Sequence, residues 1–369
     1  MSLAIQPYSA EHVPAVRAFN RRLRDGGETA FQFPEADIPE WLPHQNGRRI
    51  FQEMFVAASG PQVHGGYILK HQDFSFRGAV RSIGYYHLPL SEGLVDKRHS
   101  LLGAQLLLDA LRRQPVLYAL GMGGFDRPLP RMLVKAGWKL SAVPFYFKVL
   151  RPFRFLRNIR ALRTTPLRRL ALDAAAYSGL GAAGLRLLAS RPAAPGAAPP
   201  EVVRSFGPWA DDLWQRCHPL YAMAGSRDAA TLRILYPADN PRFIKILVRG
   251  GAAAPLGWAV LLDTPMQDHL YFGNLRLGAI ADCFAAPGDA PAVAAAAASF
   301  LESVGVDLIV SNQSHQAWGA ALRRAGFRAG PSNFIFAASK KLAASLDPWD
   351  AALPEIHLTR GDGDGPVHL

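Results

Sequence analysis

The chain has little cysteine, a deficit of acids and no long apolar run. Only Cys217 and Cys283 occur in 369 residues. Neither sits in a Cys-x-x-Cys pair, and no histidines stand at metal-ligand spacing, so neither a disulfide framework nor a metal site is expected. A reducing, cytoplasmic setting fits that scarcity. No stretch offers about 20 uninterrupted apolar residues, so no transmembrane helix is expected. The start, MSLAIQPYSAEHV, lacks a basic residue followed by an apolar core, so no secretory signal is expected either. Acids number 29 against 41 lysines and arginines, a net charge of +12. Such a balance suits anionic partners (phosphates, acidic lipid or nucleic acid) and equally suits a solvated arginine-rich surface.

What is present is a chain that is 49% hydrophobic and 10% aromatic, long enough for two packed cores. Residues 3–9 read as a strand. Glu11 to Arg24 repeats Val13, Val16, Phe19 and Leu23 at helical spacing, with Ser9 as N-cap. Strands are predicted at 54–58, 66–70 and 80–90, then a helix over Leu101 to Arg113 and a strand at 116–120. A glycine-rich turn at 121–124, a helix over 128–136 and strands at 138–143 and 145–150 follow. A similar order restarts after 201, with helices at 208–216, 290–303 and 316–325 and strands near 202–206, 243–248, 257–263, 277–284, 307–311, 327–329 and 333–338. This layout predicts an α/β (α+β) protein with domains at 1–150 and 201–340. The segment 151–200, arginine-rich at its start and Pro/Ala-rich at its end, reads as the connector, and 341–369 as an irregular tail.

Leu133-Val-Lys-Ala-Gly-Trp138 is matched 189 residues later by Leu322-Arg-Arg-Ala-Gly-Phe327. At the same offset Phe145 and Phe147 meet Phe334 and Phe336, which favours a duplication. Each match reads as a helix closed by a glycine in left-handed geometry, then an aromatic and a strand.

A helix ending in Ala-Gly-aromatic before two strands, preceded by a strand and a helix with a basic, glycine-bearing start, resembles the GNAT acyltransferase superfamily. Each half resembles one GNAT domain with a mixed, mostly antiparallel sheet flanked by helices. The whole resembles tandem-GNAT bacterial proteins and, more distantly, FemAB-type aminoacyltransferases. His357 to Gly365 also resembles the tail of such tandem chains. The resemblance implies that a CoA pyrophosphate lies against backbone N–H groups at a helix start. The matching turn is Asp96 to Gly103, which makes Lys97, Arg98, His99, Ser100 and Gly103 the implied cofactor residues. Leu101 stands where the family's first glycine is usual. In the second half the matching turn, Ala286 to Ala290, has no arginine, and Asp289 reads as an N-cap.

Amine acylation needs a base for the amine and an acid for the departing thiolate. Leu133 and Leu322 stand where the family's tyrosine acid is usual. Glu92 beside the turn and His87 on the preceding strand are the candidate bases. Tyr146, Tyr85 and Tyr86 are candidate donors. Each has a plainer reading: a turn cap, a satisfied strand histidine, core aromatics with a wet tip. Cys283 reads as buried and inert unless His218 or His315 activates it. Asp362 and Asp364 suit a cation or a cationic amine by their spacing, but without a downstream glutamate they read first as a flexible acidic turn.

Over Arg151 to Leu162 a helix would place Phe155, Leu156, Ile159 and Leu162 on one side and Arg151, Arg154, Arg157 and Arg160 on the other. That pattern suits packing against a domain or lying on an anionic membrane, so Arg151–Arg169 is a candidate membrane surface. The leading expectation is transfer of an acyl group, acetyl by resemblance, from acyl-CoA (acetyl-CoA) to an amine such as an amino sugar or cell-envelope precursor. No metal is expected. The protein is expected to be cytoplasmic, or peripheral at the inner membrane face. The rivals are a non-catalytic GNAT pair acting as a scaffold and aminoacyl transfer from tRNA. Nucleic acid is not the expected partner, because no aromatic-basic RNA motif is visible.

Overall fold

The computed structural model describes residues 3–37, 42–44, 47, 49–178, 199–251 and 254–363. Most of the Pro/Ala stretch 191–200, and Asp364, lie outside them. The chain forms two compact units, residues 1–142 with 333–349, and 143–332 with 350–369.

The first unit runs β1 (Ala4–Pro7), α1 (Val13–Asp25), β2 (Phe51–Ser59), β3 (Gln62–Phe76), β4 (Ala79–Ser91), α2 (Leu102–Arg113), β5 (Leu117–Gly121), α3 (Pro128–Lys135) and β6 (Lys139–Ala142). Alternation along β2 explains its two-sided burial. Phe55 and Ala57 join the core under α2 and α3 with Leu106, Leu133 and Trp138. Met54, Val56 and Ala58 join the core under α1 with Val16, Phe19 and Leu23. The strands are longer than their apolar runs suggested, because polar residues continue the pairing: Gln72↔Ile83 and Asp73↔Ser82 extend the β3–β4 ladder.

The second unit runs β7 (Phe145–Val149), α4 (Pro152–Asn158), α5 (Pro166–Tyr177), β8 (Glu201–Val203), α6 (Pro208–Cys217), β9 (Met223–Gly225), α7 (Ala229–Leu235), β10 (Ile244–Arg249), β11 (Pro255–Pro265), β12 (Arg276–Ala285), α8 (Ala290–Ser303), β13 (Leu308–Asn312), α9 (Gln316–Arg324) and β14 (Arg328–Gly330). The chain then supplies β15 (Ile335–Ala338) and α10 (Lys340–Ser345) to the first unit. α11 (Trp349–Ala352) and β16 (Ile356–His357) follow.

The first sheet has the order β1-β2-β3-β4-β5-β15-β6 and the second β8-β10-β11-β12-β13-β7-β14. The two orders are the same, and in each the penultimate strand comes from the other half of the chain. Both sheets are antiparallel along this path except at one pair, β4 with β5 and β12 with β13. The predicted neighbours 138–143 and 145–150 therefore do not pair with each other. β6 pairs with β15, and β7 pairs with β13 and β14. The helix-closing glycines are as expected, with Gly137 at φ +81° and Gly326 at φ +90°.

Among the described residues the connector carries two helices, α4 and α5, and the helix expected over Arg151 to Leu162 ends at Asn158. Ile159 turns extended, and Thr165 restarts the chain as N-cap by accepting a hydrogen bond from Arg168 N ahead of Pro166. Phe155, Leu156 and Ile159 are buried as the spacing required, whereas Leu162 is 47% exposed. The tail, read as irregular, carries α10, α11 and β16. Among the described residues no helix is long and apolar enough to cross a membrane.

Ile335, Phe336 and Ala337 are almost wholly buried, and their strand joins β5 to β6. A fragment ending at residue 150 keeps β5 and β6 but loses the strand between them. It is expected to lack a cooperative thermal transition by near-ultraviolet circular dichroism, and a sharp transition in this fragment would contradict the assignment.

Candidate functional site

In the first unit β4 lies beside β5 for only two residue pairs, Gly84↔Leu117 and Tyr85↔Tyr118. Just beyond, β4 bulges. Leu88 has φ +46°, and the ladder to β3 skips from Ile68↔His87 to Gly66↔Leu90. Beyond Tyr85↔Tyr118 β4 and β5 share no further pair. Tyr85 stacks on Tyr118, with ring centroids 5.0 Å apart, and its hydroxyl donates to Leu120 O at 3.0 Å across the start of the opening. His87 Nδ1 lies 3.2 Å from the same hydroxyl. Tyr86 points the other way, into the core.

The turn from β4 to α2 is tightly built. Ser91 Oγ accepts from Gly93 N, and Asp96 accepts from Arg98 N, each closing a short 3-10 turn. Glu92 sits beneath it, 6% exposed. Arg22 Nε donates to Glu92 Oε1 at 2.5 Å, His64 Nδ1 is 2.6 Å from Oε2, and His99 Nε2 is 4.0 Å from the same oxygen. Burial pushes the Glu92 carboxyl up, but the bonds from Arg22 and His64 outweigh it and hold it below its usual range. A carboxylate so paired is a weak base; the geometry suits it to anchoring the turn on α1 and β3. The donor atoms of His64, Glu92 and His99 lie within 4.8 Å of one another. The Arg22 guanidinium already neutralises that carboxylate, so the set is poor for a cation.

Arg98 is solvent-exposed and folds onto Asp96 at 2.6 Å, lowering the Asp96 carboxyl to about 2. Lys97, His99 and Ser100 share this turn, and Leu101 is 73% exposed. At Gly103 an added Cβ would meet only Met132 Sδ, at 3.5 Å, so packing does not demand the glycine. Tyr146, the other candidate donor, stands on a different strand. On β7 it belongs to the second unit, where Arg323 Nη1 donates to its hydroxyl at 3.3 Å.

The second unit repeats the opening and fills it. β12 runs parallel to β13 from Leu277↔Leu308 to Ile280↔Ser311 and then parts from it. The segment 357–360 is bonded to both strands where they part. On one side His357 Nε2 donates to Cys283 O at 2.8 Å and Thr359 Oγ1 to Asp282 Oδ1 at 2.9 Å. On the other side Leu358 N donates to Ser314 Oγ, Ser314 N to Leu358 O, and Arg360 Nε to Asn312 Oδ1.

Beneath the segment lies a buried ion cluster. Arg227 donates to Asp282 Oδ1 at 3.0 Å and to Asp362 Oδ2 at 2.8 Å, and Tyr236 donates to Asp282 Oδ2 at 2.8 Å. Asp362 is thus a structural ion, not part of a flexible acidic turn. Burial pushes the Cys283 thiol well up, so it is inert as a nucleophile. His218 stacks on Trp214, and His315 accepts from Ala317 N as the cap of α9. Asp289 stands at the N-cap position of α8 without making a side-chain cap bond. Sequence reasoning missed Arg22, His64, Arg227 and Tyr236. The one available signal was Asp282 itself, an acid inside the apolar strand Arg276–Ala285 that had to find a buried partner.

No protein-family model and no curated protein sequence matches the chain. Among solved structures it is similar to Saccharomyces cerevisiae N-myristoyltransferase with bound myristoyl-CoA and inhibitors, at 9% identity and TM-score 0.51, over 91% of this chain and 79% of that one. It is also similar to a GCN5-related N-acetyltransferase from Anabaena variabilis, at 11% identity and TM-score 0.50, over 91% and 72%. The chain shares the fold of these two proteins.

Arg227→Met leaves two buried carboxylates without their cation and is expected to cost about 3–5 kcal/mol in urea unfolding. Adding Asp282→Asn and Asp362→Asn should recover part of that loss. His315 is 4% exposed, and burial lowers its ring to about 4. Its neutral form is the one that caps α9. The unfolded chain takes up this proton near pH 6.5 and the folded chain only near 4, so stability falls as pH drops through that window, by about 1.4 kcal/mol per pH unit. His315→Gln should flatten that part of the pH profile.

Proposed function

We propose that the protein is an N-acyltransferase that takes its acyl group from acyl-CoA in the first unit and passes it to an amine. The observation that carries this reading is the contrast between the two parallel-strand openings. The one in the second unit is bonded to the chain's own segment 357–360. In the first unit β4 leads beyond the opening into a turn with Lys97, Arg98 and His99 before a helix whose Gly103 is not demanded by packing. The N–H groups of a helix start and a basic turn suit a diphosphate. Arg98 would exchange Asp96 for a phosphate oxygen, and the bare backbone at Gly103 would admit the group closely. The similar yeast enzyme holds myristoyl-CoA, which supports a CoA thioester as donor.

In this reading the amine nitrogen bonds the acyl carbon and the C–S bond breaks; His87, on β4 just past the parting from β5, takes the proton from the amine and passes it through water to the departing CoA thiolate. Tyr85, hydrogen-bonded to it, orients the ring. Glu92 holds the turn. Holding amine and thioester together supplies much of the rate. The donor is acetyl-CoA and the acceptor an amino sugar or related envelope precursor. The matched strand orders reflect one duplicated domain, of which the second copy has given up the donor. Location at an anionic membrane surface through Arg151–Arg169 is part of the same proposal.

Titration calorimetry with acetyl-CoA is expected to give one site per chain; no heat at millimolar ligand would overturn the reading. Gly103→Ala should leave stability unchanged or raise it by about 0.4–1 kcal/mol while weakening acetyl-CoA by about tenfold. An unchanged affinity would remove the α2 start from the site.

A further inference from the structure

Residues 151–177 hold seven arginines and one acid, Asp173. Arg151 and Arg154 share Asp307, Arg157 and Arg163 share Asp173, and Arg160 pairs with Asp268. Arg168 and Arg169 bond neutral groups, Thr164 Oγ1 and Arg163 O. Seven guanidinium groups thus face three carboxylates, a local excess of positive charge.

Four of these arginines line one cleft of about 830 Å³, Arg157, Arg160, Arg163 and Arg169, together with Leu270 and Tyr271. Its walls are tied together. Ala161 N donates to Tyr271 O, and Arg160 Nη1 to Asp268 O. Gly273, at φ +60°, passes so close to Asn158 O that a Cβ would have no room.

Leu270 stands on the rim of the cleft and is 72% exposed. On α5, which supplies Arg169 to the lining, Leu167 is 77% and Leu170 69% exposed. Along α5 the positions Leu167, Leu170, Ala174 and Tyr177 follow helical spacing on the exposed side. A helix that turns leucines outward, flanked by arginines with long apolar stems, has the character of an interfacial helix.

We infer that this face of the second unit docks on a membrane, the cleft arginines taking the phosphate of an anionic phospholipid headgroup while Leu167, Leu170 and Leu270 enter the acyl boundary. The inference deepens the peripheral location proposed above and rests on it; it does not depend on acyl transfer. Single-stranded RNA would also satisfy the arginines and could stack on Tyr177 and Tyr271, but it gives nothing to the three exposed leucines, which favour the lipid.

The test is sedimentation of the full chain with vesicles of phosphatidylglycerol and phosphatidylcholine, or of phosphatidylcholine alone. Binding is expected only to the anionic vesicles and should weaken with salt. Arg168→Glu with Arg169→Glu, and separately Leu167→Ser with Leu170→Ser, should each reduce it by about tenfold or more; all four side chains are exposed. No binding to either vesicle overturns the peripheral location itself. Binding that the leucine variant leaves intact keeps that location but overturns the leucine insertion. Tighter binding to poly(U) than to anionic vesicles, or calorimetric binding of inorganic phosphate alone with no binding to anionic vesicles, overturns the lipid as occupant. Acetyl-CoA calorimetry on the same variants should be unchanged, which separates this outcome from any failure of the acyltransferase reading.

Discussion

Two parallel strands that begin side by side and then part must find new partners for the backbone groups they stop sharing. A buried donor or acceptor left without one costs about 1–3 kcal/mol. β4 and β5 share two residue pairs, and β12 and β13 part after Ile280↔Ser311. In the second unit the chain answers the demand itself. Backbone and side-chain groups of 357–360 bond Cys283, Asp282, Asn312 and Ser314. The edges so occupied are not available to an extended ligand, which supports placing the donor in the other unit.

The ion cluster beneath that segment is better understood as a constraint on position than as a source of stability. Two carboxylates and one guanidinium are removed from water, and their attraction roughly offsets the desolvation. Burial raises the Asp282 carboxyl, with Arg227 opposing it, as expected where acids outnumber bases. Any other seating of the tail separates Asp362 from Arg227 or Thr359 from Asp282. Each such arrangement leaves a buried polar group alone, so the cluster selects one register for the tail.

Much of the layering was legible because period-2 and period-3.6 patterns report one-sided burial directly: Val16, Phe19 and Leu23 lie in the core under α1 as their spacing required. The glycines at 137 and 326 announced their left-handed φ. Strand partnership was not legible. Phe145–Val149 and Ile335–Ala338 each read as the last strand of their own half, and nothing in an alternating pattern says which sheet will receive it. The candidate site was legible in part. Lys97 to Gly103 do form the turn before α2, but Glu92 turned out to be held by Arg22 from 70 residues away, and Tyr146 followed its strand into the second unit.

The exchanged strands also bear on why both halves persist in one chain. β15 lies between β5 and β6, so the first sheet is complete only when residues 335–338 have been made. Such long-range pairing is slow to form, since loop-closure entropy precedes the contacts that offset it. Until then β5, the strand beside the candidate donor opening, lacks its outer neighbour. A second half whose own opening is occupied by the segment 357–360 is therefore still required to complete the first sheet. That requirement alone is enough to retain it.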